Sequence, residues 1–154
     1  YNAARINLAH IYNQQGNKQE ATHMFRAVTN LEPAYGPAWY SMGLLYAEQG
    51  QMNNAMEALK QASQRMPENP RVFYNYGLTL QNMNKVEEAE AQFKKGLEAS
   101  PQNPDLRYAL AILYMQNQRW QEARQQVNWL LERYPNNQNF RRLQQNLNQQ
   151  GVVQ

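Results

Sequence analysis

Apolar residues recur along the chain at the three- and four-residue spacing of a helix that packs one face on a core, as in Leu8, Ile11 and Tyr12. Helix-forming residues predominate, and the sequence lacks the alternating runs of β-branched residues that a sheet requires. The pattern therefore predicts an all-α protein with stripes of this kind in its core.

This apolar pattern repeats with a fixed period. Four prolines recur at a constant spacing of 34 residues: Pro33, Pro67, Pro101 and Pro135. In the same register, one column holds only small residues: Ala9, Gly43, Gly77 and Ala111. Two columns hold large residues: Leu8, Met42, Tyr76 and Leu110, and then Phe25, Leu59, Phe93 and Val127. A small residue lets a neighbouring backbone approach while a large one fills the groove beside it, so each period predicts two packed helices.

The second period is the best single copy of a known pattern, W-x₂-L-G-x₂-Y followed by a small residue, a large residue and a proline. The residues that carry it are Trp39, Met42, Gly43, Tyr46, Ala55, Leu59 and Pro67. Over residues 2–137 the chain resembles the tetratricopeptide repeat family. The resemblance implies a right-handed α-α superhelix, or solenoid, of four helix pairs at 2–35, 36–69, 70–103 and 104–137.

The turns and helix starts follow from glycine, asparagine and proline. Gly16 and Gly50 stand at the predicted inner turns, where a positive φ is expected, and the third and fourth units carry Asn84 and Gln118 there instead. Because Gln tolerates the left-handed conformation less well than Asn, the last inner turn is the least defined boundary. The pairs Asn69-Pro70 and Asn103-Pro104 each predict an N-cap followed by proline at the first helical position.

The two ends of the repeat array differ. Phe140, Leu143 and Leu147 form a narrow apolar stripe surrounded by arginines and amides, which predicts a capping helix at 138–149. At the start, Arg5 occupies the slot of the first aromatic residue of the repeat. The first unit is therefore either adapted to solvent or preceded by further repeats, although Arg107 in the same slot weakens this argument. The start at Tyr1 without a Met suggests a trimmed or processed protein.

Composition excludes several classes of function. The net charge of +3 comes without a basic stripe, so nucleic-acid binding is not expected. The absence of cysteine removes disulfides, zinc-thiolate sites and thiol nucleophiles, and no apolar run approaches the roughly 20 residues that span a membrane. The only histidines, His10 and His23, fall on different predicted helices, so neither a metal site nor any cofactor is expected.

The charged clusters also have ordinary explanations. Glu87, Glu88 and Glu90 begin a predicted B helix, where carboxylates favour the helix dipole. Five arginines of the last units are interpreted as solvated: Arg119, Arg124, Arg133, Arg141 and Arg142. No nucleophile with a base and no phosphate-binding loop can be assigned, so the sequence predicts a protein that is not an enzyme.

In the family that the chain resembles, the first helix of each pair lines the concave side of the superhelix. By that register the predicted peptide-binding groove consists of Asn7, His10, Tyr40, Leu44, Arg71, Tyr74, Asn75, Leu78, Gln81, Tyr108, Ile112 and Met115. Tyrosines offer rigid contact area with a polar tip, and an Asn amide can pair with a peptide group. The expected partner is a protein or an extended or helical peptide segment. One family subtype clamps a terminal carboxylate with several charged residues, but Arg71 alone has the required charge here.

Two other functions remain open from the sequence. The uncovered first unit could dock on another copy, which would make the domain a self-assembly element and the protein a homo-oligomer. The domain could also be the non-catalytic arm of a larger enzyme or multi-haem protein. An amide-rich, lysine-poor surface suggests a bacterial source, and cytoplasm and periplasm are both compatible with it.

Overall fold

The computed structural model describes residues 2–151, with side chains from 3 to 150. Over this range the chain forms helices and no strands, in the order α1 (Asn2–Gln14), α2 (Lys18–Leu31), α3 (Gly36–Glu48), α4 (Met52–Arg65), α5 (Pro70–Asn82), α6 (Val86–Ala99), α7 (Pro104–Gln116), α8 (Trp120–Arg133) and α9 (Gln138–Gly151). We call α1, α3, α5 and α7 the A helices, and α2, α4, α6 and α8 the B helices.

Each A helix packs on the B helix that follows it, and each B helix packs on the next A helix. The A helices α3, α5 and α7 also contact one another in sequence, whereas the B helices make their main contacts with A helices and, at the end, with α9. Because the A helices lie closer together, the stack curves towards them. The fold is the predicted all-α, right-handed solenoid of helix pairs, closed at its C-terminal end by α9.

Small residues face large ones inside each pair, as the sequence predicts. A Cβ added to Gly43 would lie 2.7 Å from Cγ of Leu59, and one added to Gly77 would lie 2.3 Å from Cε1 of Phe93. Leu59 and Phe93 are both fully buried. The missing Cβ atoms therefore set how closely the A and B helices approach.

The predicted turns and caps are present. Gly16, Gly50, Asn84 and Gln118 all have positive φ at the inner turns, so the fourth unit keeps the common turn despite its glutamine. The Asn69 side chain accepts a hydrogen bond from the backbone N–H of Arg71, and the Asn103 side chain accepts one from Leu106, with Pro70 and Pro104 at the first helical positions.

Two of the three residues in the apolar stripe of α1 are not core, contrary to the sequence prediction, whereas Tyr12 is half-buried and packs against the core. Leu8 remains 39% exposed and Ile11 48% exposed. The residues one, two and three periods later are buried: Met42, Tyr76 and Leu110 for Leu8, and Leu45, Thr79 and Leu113 for Ile11. In those units the preceding helix pair covers the stripe, and no element among residues 2–151 covers it on α1.

Glu90 and Arg119 form a half-buried ion pair that the sequence analysis did not predict. Glu87 and Glu88 do occupy the first turn of α6, but Glu90 lies beyond it and binds residues of the fourth unit. Arg119 donates from Nη1 to Glu90 Oε1 at 2.7 Å and from Nη2 to Oε2 at 3.0 Å, and the Tyr114 hydroxyl donates to Oε2 at 2.7 Å. Arg119 is thus a contact between two helix pairs and not a solvated side chain.

Three other arginines that the sequence assigned to solvent also make specific contacts. Arg124 donates to the carbonyl of Leu147 at 3.2 Å and so ties α8 to α9. The guanidinium carbon of Arg133 lies 4.0 Å from the centre of the Trp129 ring. Arg141 donates from Nε to the carbonyl of Pro135 at 2.7 Å. Arg142 is exposed and forms no hydrogen bond or ion pair within residues 2–151, as the sequence analysis predicted; Arg133 and Arg141 are exposed as well, but each has the contact described above.

Candidate functional site

The predicted groove residues fall on the A helices, on the side towards which the stack curves. α1 carries Asn7 and His10, α3 carries Tyr40 and Leu44, and the remaining residues come from α5 and α7. On α3, α5 and α7 all of them except Arg71 are half-buried. We call this surface the A-helix groove.

Three tyrosines, one from each of α3, α5 and α7, form a row along the groove: Tyr40, Tyr74 and Tyr108. Each is half-buried and packs against the core from the open side. The Tyr74 ring centre lies 6.4 Å from that of Phe93, and the Tyr108 ring centre lies 5.5 Å from that of Phe140. The rings are therefore held by buried aromatic residues, which reduces the conformational entropy that a bound partner would have to restrict.

The hydroxyl of Tyr74 stays protonated at neutral pH. Burial raises its pKa above the ordinary value of 10.0, and the neighbouring charges of Asp105 and Tyr108 raise it further. A protonated phenol can both donate and accept a hydrogen bond. The centre of the groove thus offers an aromatic surface with a neutral polar tip.

Asn75 and Tyr40 form a hydrogen-bonded pair between α5 and α3. Nδ2 of Asn75 donates to the Tyr40 hydroxyl at 2.8 Å and to the backbone carbonyl of Arg71 at 3.0 Å. The asparagine has therefore used its donors inside the protein. Its Oδ1 remains free to accept and the Tyr40 O–H remains free to donate, because within residues 2–151 no group donates to Oδ1 and the Tyr40 hydroxyl donates to no acceptor.

This pairing alters the recognition that the sequence suggested. A single Asn was expected to bind both the N–H and the C=O of a peptide group. In the structure that complementary donor and acceptor come from two residues on two helices, Tyr40 and Asn75. The sequence gives no sign of the pair, since the two residues are separated by 35 positions.

A second row of side chains makes the groove apolar below the tyrosines. Leu44, Leu78, Ile112 and Met115 are half-buried, and the last three pack against the core of the later units. At the end of this row, Gln81 Nε2 donates to Gln116 Oε1 at 2.6 Å, which joins α5 to α7. The groove therefore combines an apolar floor with amide and phenol groups at its margin.

The α1 part of the groove is less enclosed than the rest. Asn7 and His10 are exposed, and His10 packs edge-on against Phe25, with ring centres 5.3 Å apart. Arg71 is also exposed. Ile6, Ser41 and Asn75, which correspond to other positions of the family subtype's carboxylate clamp, carry no charge. The structure thus gathers the α3, α5 and α7 residues into one surface and leaves Asn7, His10 and Arg71 at its edge.

Residues 2–151 contain no group of three side chains able to hold a metal ion. Over the same range, the helices are too short or too polar to cross a membrane.

A stack of helix pairs with one lined groove and a polar terminal helix defines a helical-repeat protein. Tetratricopeptide repeat models match residues 6–70, 46–99 and 88–147, and the chain belongs to the tetratricopeptide repeat family. Repeats of this family serve in general as protein-interaction scaffolds. A comparison with curated protein sequences finds no match.

Solved structures show the same fold. A tetratricopeptide repeat protein from Parabacteroides merdae has a TM-score of 0.83 at 23% identity, over 95% of this chain and 57% of that one. MamA from Desulfovibrio magneticus RS-1 has a TM-score of 0.79 at 17% identity, over 90% of this chain and 78% of that one. Pseudomonas aeruginosa pilF has a TM-score of 0.76 at 25% identity, over 85% of this chain and 60% of that one. These likenesses show that the fold is shared.

Proposed function

We propose that this chain is a non-catalytic binding module that holds an extended peptide segment of a partner protein in the A-helix groove. The observation that carries the proposal is the Tyr40–Asn75 pair, which presents one free donor and one free acceptor beside a row of rigid tyrosines. An extended peptide exposes its N–H and C=O groups, and such a pair can satisfy both.

The surrounding residues support the same partner. Tyr74 and Tyr108 offer flat apolar area next to these polar groups, and Leu78 and Ile112 provide an apolar floor. Large, rigid aromatic residues in a partly desolvated centre commonly dominate binding energy, whereas rim contacts contribute little. We therefore expect the central tyrosines to matter most, and Asn7, His10 and Arg71 to act as rim residues.

Peptides selected on the immobilised protein from a random display library test the proposal. We expect the selected peptides to bind the Tyr74→Ala, Tyr108→Ala double variant roughly 30- to 1,000-fold more weakly, since each aromatic anchor contributes on the order of 1–2 kcal/mol. Isothermal titration with synthetic peptides gives the affinities. Tyr35→Ala, which removes an exposed tyrosine outside the predicted groove, should leave them unchanged. Equal affinity for the unaltered protein and the double variant would contradict groove binding.

A second candidate function, self-association, is favoured by the exposed stripe of α1. Leu8 and Ile11 occupy positions that a helix pair covers in every later unit. The opposite end of a second copy is not complementary, because α9 buries Phe140, Leu143 and Leu147 against its own chain and turns polar residues outward. The expected assembly is therefore a symmetric dimer in which α1 packs on α1 of the second copy.

Sedimentation velocity over a concentration series tests this second candidate. The unaltered protein should form a weak dimer, with a dissociation constant on the order of tens of micromolar or above, since the apolar stripe is small. Leu8→Gln, Ile11→Gln should be monomeric at every concentration. Leu31→Gln removes a side chain that is 58% exposed on α2 and should dimerise like the unaltered protein. A monomer at the highest concentration of unaltered protein would exclude this function.

A further inference from the structure

The link prolines mark one edge of the solenoid, where each B helix ends and the next helix begins. At three of these four prolines, the backbone carbonyl accepts a hydrogen bond from a side chain. Pro33 accepts from Trp39 Nε1 at 2.9 Å and also from Nε of Arg65, Pro101 accepts from Arg107 Nη2 at 3.3 Å, and Pro135 accepts from Arg141 Nε at 2.7 Å. Trp39, Arg107 and Arg141 each follow their proline by six residues.

The same register explains why Arg107 replaces the aromatic residue of the repeat. Arg107 supplies the N–H that the indole of Trp39 supplies two units earlier, and its guanidinium carbon lies 4.4 Å from the centre of the Trp129 ring. Arg65 packs in a similar way over Trp39, at 5.3 Å. We call the link at each of these prolines, with the side chains around its carbonyl, a corner. At the corners of Pro33 and Pro101, a guanidinium lies against an aromatic ring next to the proline carbonyl.

The corner at Pro67 lacks the counterparts of both side chains, Trp39 and Arg65, that donate to the Pro33 carbonyl. The residue six positions after Pro67 is Phe73, which has no side-chain N–H, and the residue one period after Arg65 is Ala99. Within residues 2–151 no side chain donates to the Pro67 carbonyl and no cation packs over Phe73. The third unit thus keeps the ring and the carbonyl of this arrangement without its arginine.

The position that an arginine side chain fills in the second unit is open in the third. A depression of about 500 Å³ lies there, within the range of small-ligand sites. Its lining consists of Ser63, Gln64, Pro67, Glu68, Phe73, Lys95, Glu98 and Ala99. Pro67, Ala99 and Phe73 contribute the apolar part of the lining, although Phe73 is only 5% exposed.

The charges around the depression favour a cation. Glu68 and Glu98 contribute two carboxylates and Lys95 one ammonium group, and all three side chains are exposed. In the described part of the chain none of the three forms an ion pair with another residue. The lining residues therefore have a net charge of −1. By register with Pro33, whose carbonyl accepts from Arg65, the carbonyl of the lining residue Pro67 is the corresponding acceptor.

We propose that this depression binds an arginine side chain of a partner protein, which takes the place that Arg65 occupies in the second unit. The guanidinium would donate to the Pro67 carbonyl, contact the small exposed part of Phe73 and lie near Glu68 and Glu98. A planar group with five donors satisfies these contacts together, whereas a lysine ammonium group lacks the flat apolar faces. This site lies on the proline edge of the stack and is separate from the A-helix groove.

Titration of the ¹⁵N-labelled protein with N-acetyl-arginine methylamide, followed by NMR, tests the proposal. We expect saturable shifts of the backbone amides of Glu68, Phe73 and Ala99, with a dissociation constant on the order of millimolar for so small a probe. N-acetyl-lysine methylamide should bind at least about fivefold more weakly, since its ammonium group lacks the flat face and the five donors of a guanidinium.

Ala99→Arg supplies the missing side chain within the protein and should abolish the response to the arginine probe. Ala91→Arg adds the same charge at an exposed position of α6 outside the depression, and should retain the response. The Tyr74→Ala, Tyr108→Ala variant should also retain it, so failure of the groove proposal is distinguishable from failure of this one. Equal binding of both probes, or an unchanged response in Ala99→Arg that has an intact circular dichroism spectrum, would overturn the proposal.

Discussion

Phe93→Ala should lower the free energy of unfolding by about 4 kcal/mol, as expected for removing a fully buried aromatic side chain. The ring fills the space left by Gly77 and lies 6.4 Å, centre to centre, from the groove residue Tyr74. Its loss leaves a cavity between α5 and α6 and also removes the support of Tyr74. Urea denaturation followed by circular dichroism measures the change.

The second unit provides a matched control for this substitution. Leu59 occupies the slot of Phe93 one period earlier, is also fully buried and also faces a glycine, Gly43. Phe93→Leu should therefore cost only about 1 kcal/mol, because leucine fills most of the site. If Phe93→Leu and Phe93→Ala proved equally destabilising, leucine would not fill the space beside Gly77, and the sites of Leu59 and Phe93 would not be equivalent.

The fold was predictable because its determinants recur in every unit. Two columns recur every 34 residues: small residues at Gly43 and Gly77, and large residues at Leu59 and Phe93. A recurrence of this kind indicates a structural repeat. Each pair also lies within one unit, where register alone sets the contact. Stacking of such pairs into a solenoid then requires no further information.

Contacts between units were much less predictable. The Tyr40–Asn75 hydrogen bond and the ion pair of Glu90 with Arg119 occur once each and involve residues 35 and 29 positions apart. A polar residue on a helix surface looks the same in the sequence whether or not the next unit supplies a partner. The assignments of Glu90 to a helix start and of Arg119 to solvent were wrong for this reason.

The exposed residues of the α1 stripe show a second property that the repeat pattern alone does not predict, namely whether a residue is buried. The period identifies the face of α1 that equivalent helices bury, but burial also depends on whether a preceding helix pair is present. Leu8 and Ile11 therefore have a core pattern and a surface environment. Of the predicted groove, the central tyrosines and the apolar row lie together as the register implies, whereas their role in binding is a proposal that the peptide experiment tests.

Glu90 links the third and fourth helix pairs through a carboxylate that is mostly removed from solvent. Its side chain is 12% exposed and binds Arg119, Tyr114 and Lys94. Hydrogen bonding to Arg119 lowers the pKa of Glu90 from 4.5 to about 2, even though burial alone would raise it. The pKa of Tyr114 is raised, chiefly by burial and next by Glu90, so the phenol remains a donor to this carboxylate.

Glu90→Gln should lower the free energy of unfolding by about 2 kcal/mol at pH 7, because the uncharged amide replaces a charged hydrogen-bond acceptor and leaves Arg119 paired with Glu122 alone among the described residues. The pKa of Glu90 is lower in the folded protein than in the unfolded chain, so its stabilisation is complete above pH 4.5 and is lost as the pH falls towards 2. The difference in stability between the unaltered protein and Glu90→Gln should therefore shrink over this pH range. Urea denaturation at pH 7, 4.5 and 3 measures it.

Glu132→Gln serves as the control for this prediction. Its carboxylate lies 3.7 Å from Arg133, and its side chain is 75% exposed, so solvent screens the pair. Loss of that charge should change stability by less than about 0.5 kcal/mol at any of these pH values. A Glu90→Gln variant that behaved like Glu132→Gln would mean that the contact between the third and fourth helix pairs depends on apolar packing alone. A constant difference from pH 7 to 3 would mean that the Glu90 charge is not responsible for the stabilisation.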